Sequence, residues 1–165
     1  MHPDIRKRVR LTNPTHFLAL GFGSGLAPKM PGTFGSLAAI PLLFLMSDMS
    51  FTLFLALTLV ASVAGIYLCD RTAKDMQVHD HGSIVWDEIA GMLVTFILVP
   101  INLSTLLLGF ALFRVFDIIK PWPIGPIDKK LHGGLGIMLD DIIAGIMACG
   151  VLHLVLRYFP QWLSL

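Results

Sequence analysis

The chain has 165 residues, 55% of them hydrophobic and 14% charged, with a net charge of +1. Soluble domains carry about a quarter charged residues, and a chain this short cannot bury so much apolar surface within itself, so lipid must cover part of it. No basic stripe with interleaved aromatics marks a nucleic-acid binder, and Cys69 and Cys149 have neither disulfide-framework nor metal-site spacing.

The length fits one membrane-embedded domain over residues 1–165, with a basic arm at 1–12. Arg6, Lys7, Arg8 and Arg10 in that arm could serve as the charged region of a signal peptide. The apolar run behind them is broken by Gly21, Gly23 and Gly25 and lacks a small-residue cleavage site. We therefore expect the N-terminus to be retained. Asn13-Pro14 reads as a helix start, with Asn as cap and Pro at the first helical position, and this short helix is expected at the membrane surface. A Gly- and Pro-rich loop then covers Gly21 to Ser36. Apolar segments follow at 37–47, 51–69, 84–101, 104–119 and 137–159, of which only the second and last approach the roughly 20 residues of a spanning helix. The expected fold is an all-α, polytopic membrane helix bundle with four or five membrane segments and cytoplasmic-face loops.

Segments 37–47 and 51–69 form one tight hairpin, and 84–101 and 104–119 form another around Asn102. Each hairpin returns the chain to the side it left, so the N-terminal region, the 70–83 loop and the 120–136 loop share one side. Eleven of the twelve Lys and Arg residues lie there or on adjoining helix ends, Arg157 being the exception. The positive-inside rule makes that side cytoplasmic.

Carboxylates gather toward the same side. Asp87 and Glu88 are expected to begin one helix, Asp117 to end another, and Asp140 and Asp141 to begin the last. Unneutralised, such a cluster would be strongly self-repelling. A hard divalent cation such as Mg²⁺ would relieve it, taking carboxylate oxygens and keeping waters for substrate phosphate. Helix-dipole stabilisation of acids at helix N-termini is the competing explanation for all but Asp117. Asp117 is expected to pair with Arg114 and Lys120, three residues away on either side.

An internal echo favours the site. His81-Gly82 precedes Asp87-Glu-Ile-Ala-Gly91, and His132-Gly133 precedes Asp141-Ile-Ile-Ala-Gly145. Small residues let membrane helices approach closely and would draw the two aspartates together. The run His79-Asp80-His81 offers metal ligands or a general base near neutral pH. In the Gly-rich loop, backbone N–H groups could hold an anion, with Thr33 or Ser36 capping the next helix at a phosphate-favouring N-terminus.

Several stretches together resemble one family: Gly21-Phe-Gly-Ser-Gly25 with Pro31-Gly-Thr-Phe-Gly-Ser36, Ala73-Lys-Asp75, Val78-His-Asp-His-Gly-Ser-Ile-Val-Trp-Asp-Glu88, Phe113-Arg114 with Asp117, Lys120-Pro-Trp-Pro-Ile124, and His132-Gly-Gly-Leu-Gly-Ile-Met138 with Asp140-Asp141. The chain is similar over about residues 13 to 145 to the phosphatidylglycerophosphatase A family. The resemblance implies Mg²⁺-dependent removal of the terminal phosphate of phosphatidylglycerophosphate, giving phosphatidylglycerol, in the bacterial inner membrane. Other phosphatase signatures are missing: neither cysteine has the spaced Arg of a cysteine phosphatase, and the Asp-x-Asp pattern of aspartyl-phosphate hydrolases does not occur.

On this reading Asp80, Asp87, Glu88, Asp140 and Asp141 hold or surround Mg²⁺, and His79, Asp80 and His81 perform acid–base work. Lys74, Arg114 and Lys120 neutralise phosphate charge, and Thr33 and Ser36 seat it. The lipid substrate stays in the inner leaflet. The alternatives are a small cation- or proton-coupled transporter, whose site would lie nearer the midplane, and a non-catalytic membrane scaffold.

Overall fold

In the computed structural model, residues 7–78 and 81–160 are described, apart from the Lys129 side chain, and those residues form helices and turns without a strand. Helix α1 (Pro14–Ala19) is capped by the Asn13 side chain, which accepts from the Thr15 N–H, as the sequence suggests. A 3₁₀ turn over Gly21–Leu26 follows. Then come α2 (Pro31–Met46), α3 (Phe51–Met76), α4 (Trp86–Thr95), α5 (Leu103–Ile119), α6 (Ile124–Lys130) and α7 (Gly133–Tyr158).

Two helices, α3 and α7, are long and apolar enough to cross a membrane. Large side chains such as Leu45, Val60, Val63, Leu107 and Ile118 remain exposed over the bundle, the surface of a protein solvated by lipid rather than water. Inside, Leu43, Ile89, Met92, Phe96, Phe113 and Leu152 form the core of the bundle.

Several boundaries differ from expectation. The Gly-rich loop ends earlier, because Pro31 occupies the first helical turn of α2 and suits it by its fixed φ. Met30 precedes it in the left-handed conformation, with no side-chain cap. Ser36 lies inside α2, its hydroxyl donating to the Gly32 carbonyl, and Thr33 lies in the first turn, so neither caps the helix. The first half of the supposed 70–83 loop is helix, since α3 runs to Met76. The i,i+4 pairs Asp70–Lys74 and Arg71–Asp75 support those last turns, and Arg8 donates to the terminal Met76 carbonyl.

The 84–101 segment contains only the ten-residue α4, about 15 Å long at 1.5 Å per residue and half of a hydrocarbon core of about 30 Å. Beyond it, Leu98 takes a positive φ. Asn102 then starts α5 with a reciprocal Asn102–Thr105 capping box. The two hairpin turns meet at one end of the bundle, where Met46, Ser47, Met49, Phe54, Phe96 and Ile101 line a cavity of about 160 Å³ without ionisable side chains.

Candidate metal centre and active site

The last helix corrects the depth of its acids. Because α7 begins at Gly133, Asp140 and Asp141 stand about two turns inside it rather than at its start, beyond the first turn where the dipole stabilises carboxylates. The helix-dipole account therefore applies to Asp87 and Glu88, in the first turn of α4, and not to Asp140 and Asp141.

What brings α4 and α7 together is the echo. A Cβ on Gly91 would stand 2.8 Å from the Asp141 carbonyl oxygen and 2.5 Å from the Phe113 ring, and one on Gly145 would overlap the Gly91 carbonyl. Only glycine permits this backbone approach. Each aspartate lies four residues before its glycine, on the same helix face. As a result, Asp87, Glu88 and Asp141 each present a carboxylate oxygen within 4.8 Å of the others.

Second, Arg114 enters from α5. Its Nη1 lies 2.7 Å from Asp117 Oδ2 and 4.0 Å from Glu88 Oε1, and it reaches the Ser36 hydroxyl at 3.4 Å. The expected Arg114–Asp117 pair is present. Lys120 is instead held by Asp140 at 2.7 Å and Asp128 at 2.9 Å. Burial pulls the Lys120 ammonium down, but the hydrogen bonds of Asp140 and Asp128 outweigh it and hold it above the ordinary lysine range.

The third wall is the start of α2. A Cβ on Gly32 would collide with Glu88 Oε1 and lie 3.4 Å from both terminal nitrogens of Arg114. The α2 N-terminus, with its unsatisfied N–H groups, thus abuts the carboxylates. Nearby, a Cβ on Gly82 would lie 3.9 Å from the Pro31 ring, which places the His81-Gly82 turn beside the same helix end. His81 Nδ1 accepts from the Ser83 N–H at 3.1 Å, leaving Nε2 as the proton-carrying position.

Of the site residues read from sequence, Ser36, Asp87, Glu88, Arg114 and Asp141 are gathered here, and Thr33 sits one residue past Gly32 in the same helical turn. His79 and Asp80 lie outside the described residues. Asp140 is turned to Lys120 and is not one of the three clustered carboxylates. Lys74 is bound to Asp70 at 2.6 Å on exposed α3, beside Gly133 rather than the carboxylates. Sequence reasoning left Asp117 out of the site, placed Gly32 in the anion-binding loop without its contact with Glu88, and missed Asp128. The Pro-Gly step at a helix start was the available signal for Gly32; nothing in sequence linked Asp128 to Lys120.

The donor set suits a hard divalent cation, which prefers carboxylate oxygen. Glu88 Oε2 and Arg114 Nε are buried with no hydrogen-bond partner among the described residues, so the cluster has both an uncommitted acceptor and an uncommitted donor. A bound cation and an anionic ligand would satisfy them.

The sequence profile of the family "Phosphatidylglycerophosphatase A" matches residues 17–156. The Escherichia coli K12 protein of that name is 49% identical over 161 residues, covering 96% of this chain and 94% of its own. The Haemophilus influenzae protein of that name is 49% identical over 144 residues, covering 86% and 88%. No solved structure matches. The matched region holds every carboxylate and basic group of the site described above, and the chain belongs to the phosphatidylglycerophosphatase A family.

Proposed function

We propose that this chain hydrolyses the terminal phosphomonoester of phosphatidylglycerophosphate, releasing phosphatidylglycerol and inorganic phosphate. The observation that carries the reading is the convergence of Asp87, Glu88 and Asp141 beside Arg114 and the α2 N-terminus. Anion-binding groups and cation-binding groups face one another there, as a phosphate–metal site requires.

Asp87, Glu88 and Asp141 would hold Mg²⁺, which when bound polarises the phosphoryl group and lowers the pKa of a coordinated water. Arg114, oriented by Asp117, takes up charge on the phosphoryl oxygens, and the Gly32 and Thr33 N–H groups add donors at a favourable helix end. The Ser36 hydroxyl helps fix Arg114. Water oxygen bonds to phosphorus as the bond from phosphorus to the glycerol oxygen breaks, and the proton lost by water balances the one gained by that oxygen. His81, with Nδ1 accepting from Ser83, directs its Nε2 N–H as a hydrogen-bond donor for a phosphoryl or leaving-group oxygen, and His79 and Asp80 adjoin it in sequence as further acid–base groups. Lys120 acts indirectly, tying α6 to Asp140 on α7.

The proposed setting is the bacterial inner membrane, crossed several times, with the carboxylate end facing the cytoplasm. The Lys and Arg distribution supports that orientation, and the meeting of both hairpin turns, which carry no Lys or Arg, at the opposite end supports it too. Purified protein given phosphatidylglycerophosphate should release phosphate in stoichiometry with phosphatidylglycerol. An inserted, folded protein that releases none would overturn the reading.

A further inference from the structure

A lipid phosphatase must join a polar site to the hydrocarbon phase, and the outward faces of α2 and α5 are built to do so. Residues spaced four, three and four apart lie in one row along a helix. On α5 such a row is Leu107, Ala111, Arg114 and Ile118. Leu107, Ala111 and Ile118 are exposed, while Arg114, the one polar member, turns inward to Asp117 and Glu88. On α2 the same spacing gives Thr33, Leu37, Ile40 and Phe44. Leu37 and Phe44 are exposed, Ile40 is half-buried, and the polar member again stands at the site end.

The two rows flank one contact. Ser36 and Arg114 meet at 3.4 Å, so the helices are neighbours at the site. From there α2 runs away while α5 arrives. The far end of α2, at Met46, shares a cavity wall with Ile101, just before α5 begins. The helices are therefore antiparallel neighbours with apolar rows alongside. From Ser36 to Phe44 the path is about 12 Å at 1.5 Å per residue, close to the roughly 15 Å hydrocarbon depth of one leaflet.

We propose that the phosphomonoester lipid reaches the site laterally between α2 and α5, its acyl chains lying along these two rows while its phosphate meets Arg114. The inference rests on the proposed reaction and adds the route and the chain-binding surface. The outer face of α3 does not meet the same conditions. Leu59, Val60 and Val63 are as exposed, but that face leads to the Asp70–Lys74 pair and to none of the three carboxylates.

The test uses the full chain in phosphatidylcholine nanodiscs, with phosphatidylglycerophosphate bearing a photoactivatable group in mid-chain. Phosphatidylcholine with the same labelled chain is the reference. Adducts from the phosphomonoester lipid should be enriched severalfold over the reference on the peptides spanning 37–44 and 107–118, with no enrichment at 59–63. Identical adduct patterns for the two lipids would overturn the proposal. In a second measurement, Ala111→Trp should lower kcat/KM for the diacyl substrate by on the order of tenfold, and Val63→Trp should remain near wild type. Full kcat/KM in Ala111→Trp would also overturn it. Failure of the underlying reaction would look different: wild-type protein would release no phosphate, whatever the labelling pattern.

Discussion

The carbonyl oxygen of Gly91 occupies the space where a side chain on Gly145 would begin. Since Asp87 and Asp141 each lie one turn before these glycines, the contact determines how far apart the two carboxylates stand. Gly145→Leu should push α4 and α7 apart, costing about 1–3 kcal/mol through overpacking. Separately, displacing the acids by about 1 Å should lower turnover by on the order of a hundredfold. Gly150→Ala is the control, since a Cβ there meets nothing within 4 Å. Thermal unfolding in detergent and phosphate release measure the two effects, and wild-type turnover in Gly145→Leu would show that the contact does not set the site.

Much of this was legible because it is written in local pattern. The Asp-x-Ile-Ala-Gly echo announced a close helix pair, and the Asn13-Pro14 start and the Asn102 turn came out where expected. The misread helix starts share a physical cause: α2 and α7 each begin several residues before their long apolar run. Gly133, Gly134 and Gly136 discourage a helix on propensity, yet α7 includes them. There a Cβ on Gly134 would run into the Ile66 carbonyl, so close packing on α3 outweighs propensity. Charged residues hid the last turns of α3, where Asp70, Arg71, Lys74 and Asp75 pair along the helix. The Lys120–Asp128 bridge joins two elements through a turn, and no periodicity foretells it.

The three clustered acids should separate from the fourth and from a distant one. Asp87→Asn and Asp141→Asn should each reduce phosphate release by at least about a hundredfold, some 2.7 kcal/mol of transition-state stabilisation, while the protein still inserts. Asp140→Asn should be milder, because that carboxylate is committed to Lys120 at 2.7 Å. Asp48→Asn, at an exposed hairpin turn, should be near normal. Equal losses in Asp140→Asn and Asp141→Asn would place Asp140 among the ligands after all.

Lys120 gives a pH prediction. Its folded-state pKa lies above the ordinary value, so the stabilisation it provides is complete below the unfolded lysine pKa of about 10.4 and is lost only as pH rises through the higher folded value. Stability between neutral pH and about pH 9 should therefore show no step from Lys120. Lys120→Met removes the partner of a buried carboxylate and should cost about 1–3 kcal/mol, less than a fully buried pair because Lys120 is partly exposed. Adding Asp140→Leu should restore much of that loss. Denaturation of the single and double variants across pH tests both statements.

Orientation can be read with thiols. In a background with Cys69 and Cys149 replaced by Ala, cysteines at the exposed positions Gln77 and Lys130 should both resist a membrane-impermeant reagent in intact cells and react after permeabilisation. A cysteine at Asp48 should react in intact cells. Labelling of position 77 or 130 from outside would reverse the assigned sidedness.

Metal removal tests the carboxylate cluster most directly. Asp87, Glu88 and Asp141 bring three acidic groups within 4.8 Å, and their mutual repulsion is relieved either by protons or by a cation. If the cation is Mg²⁺, a chelator should abolish phosphate release and added Mg²⁺ should restore it. The ion must compete with protons for the same oxygens, so its apparent affinity should weaken as pH falls. Chelation should also lower the unfolding temperature of wild-type protein more than that of Asp141→Asn, because a cation bound only to the folded state stabilises it by mass action. That comparison needs no turnover and so separates binding from catalysis. Replacement of both cysteines by Ala should leave activity in place, since Cys69 is buried against Met138 and Cys149 lies against the Ile97 carbonyl. Full activity in excess chelator would remove the cation from the mechanism. A phosphoryl group trapped on an aspartate when Mg²⁺-dependent turnover is quenched would instead replace direct water attack with a covalent aspartyl intermediate.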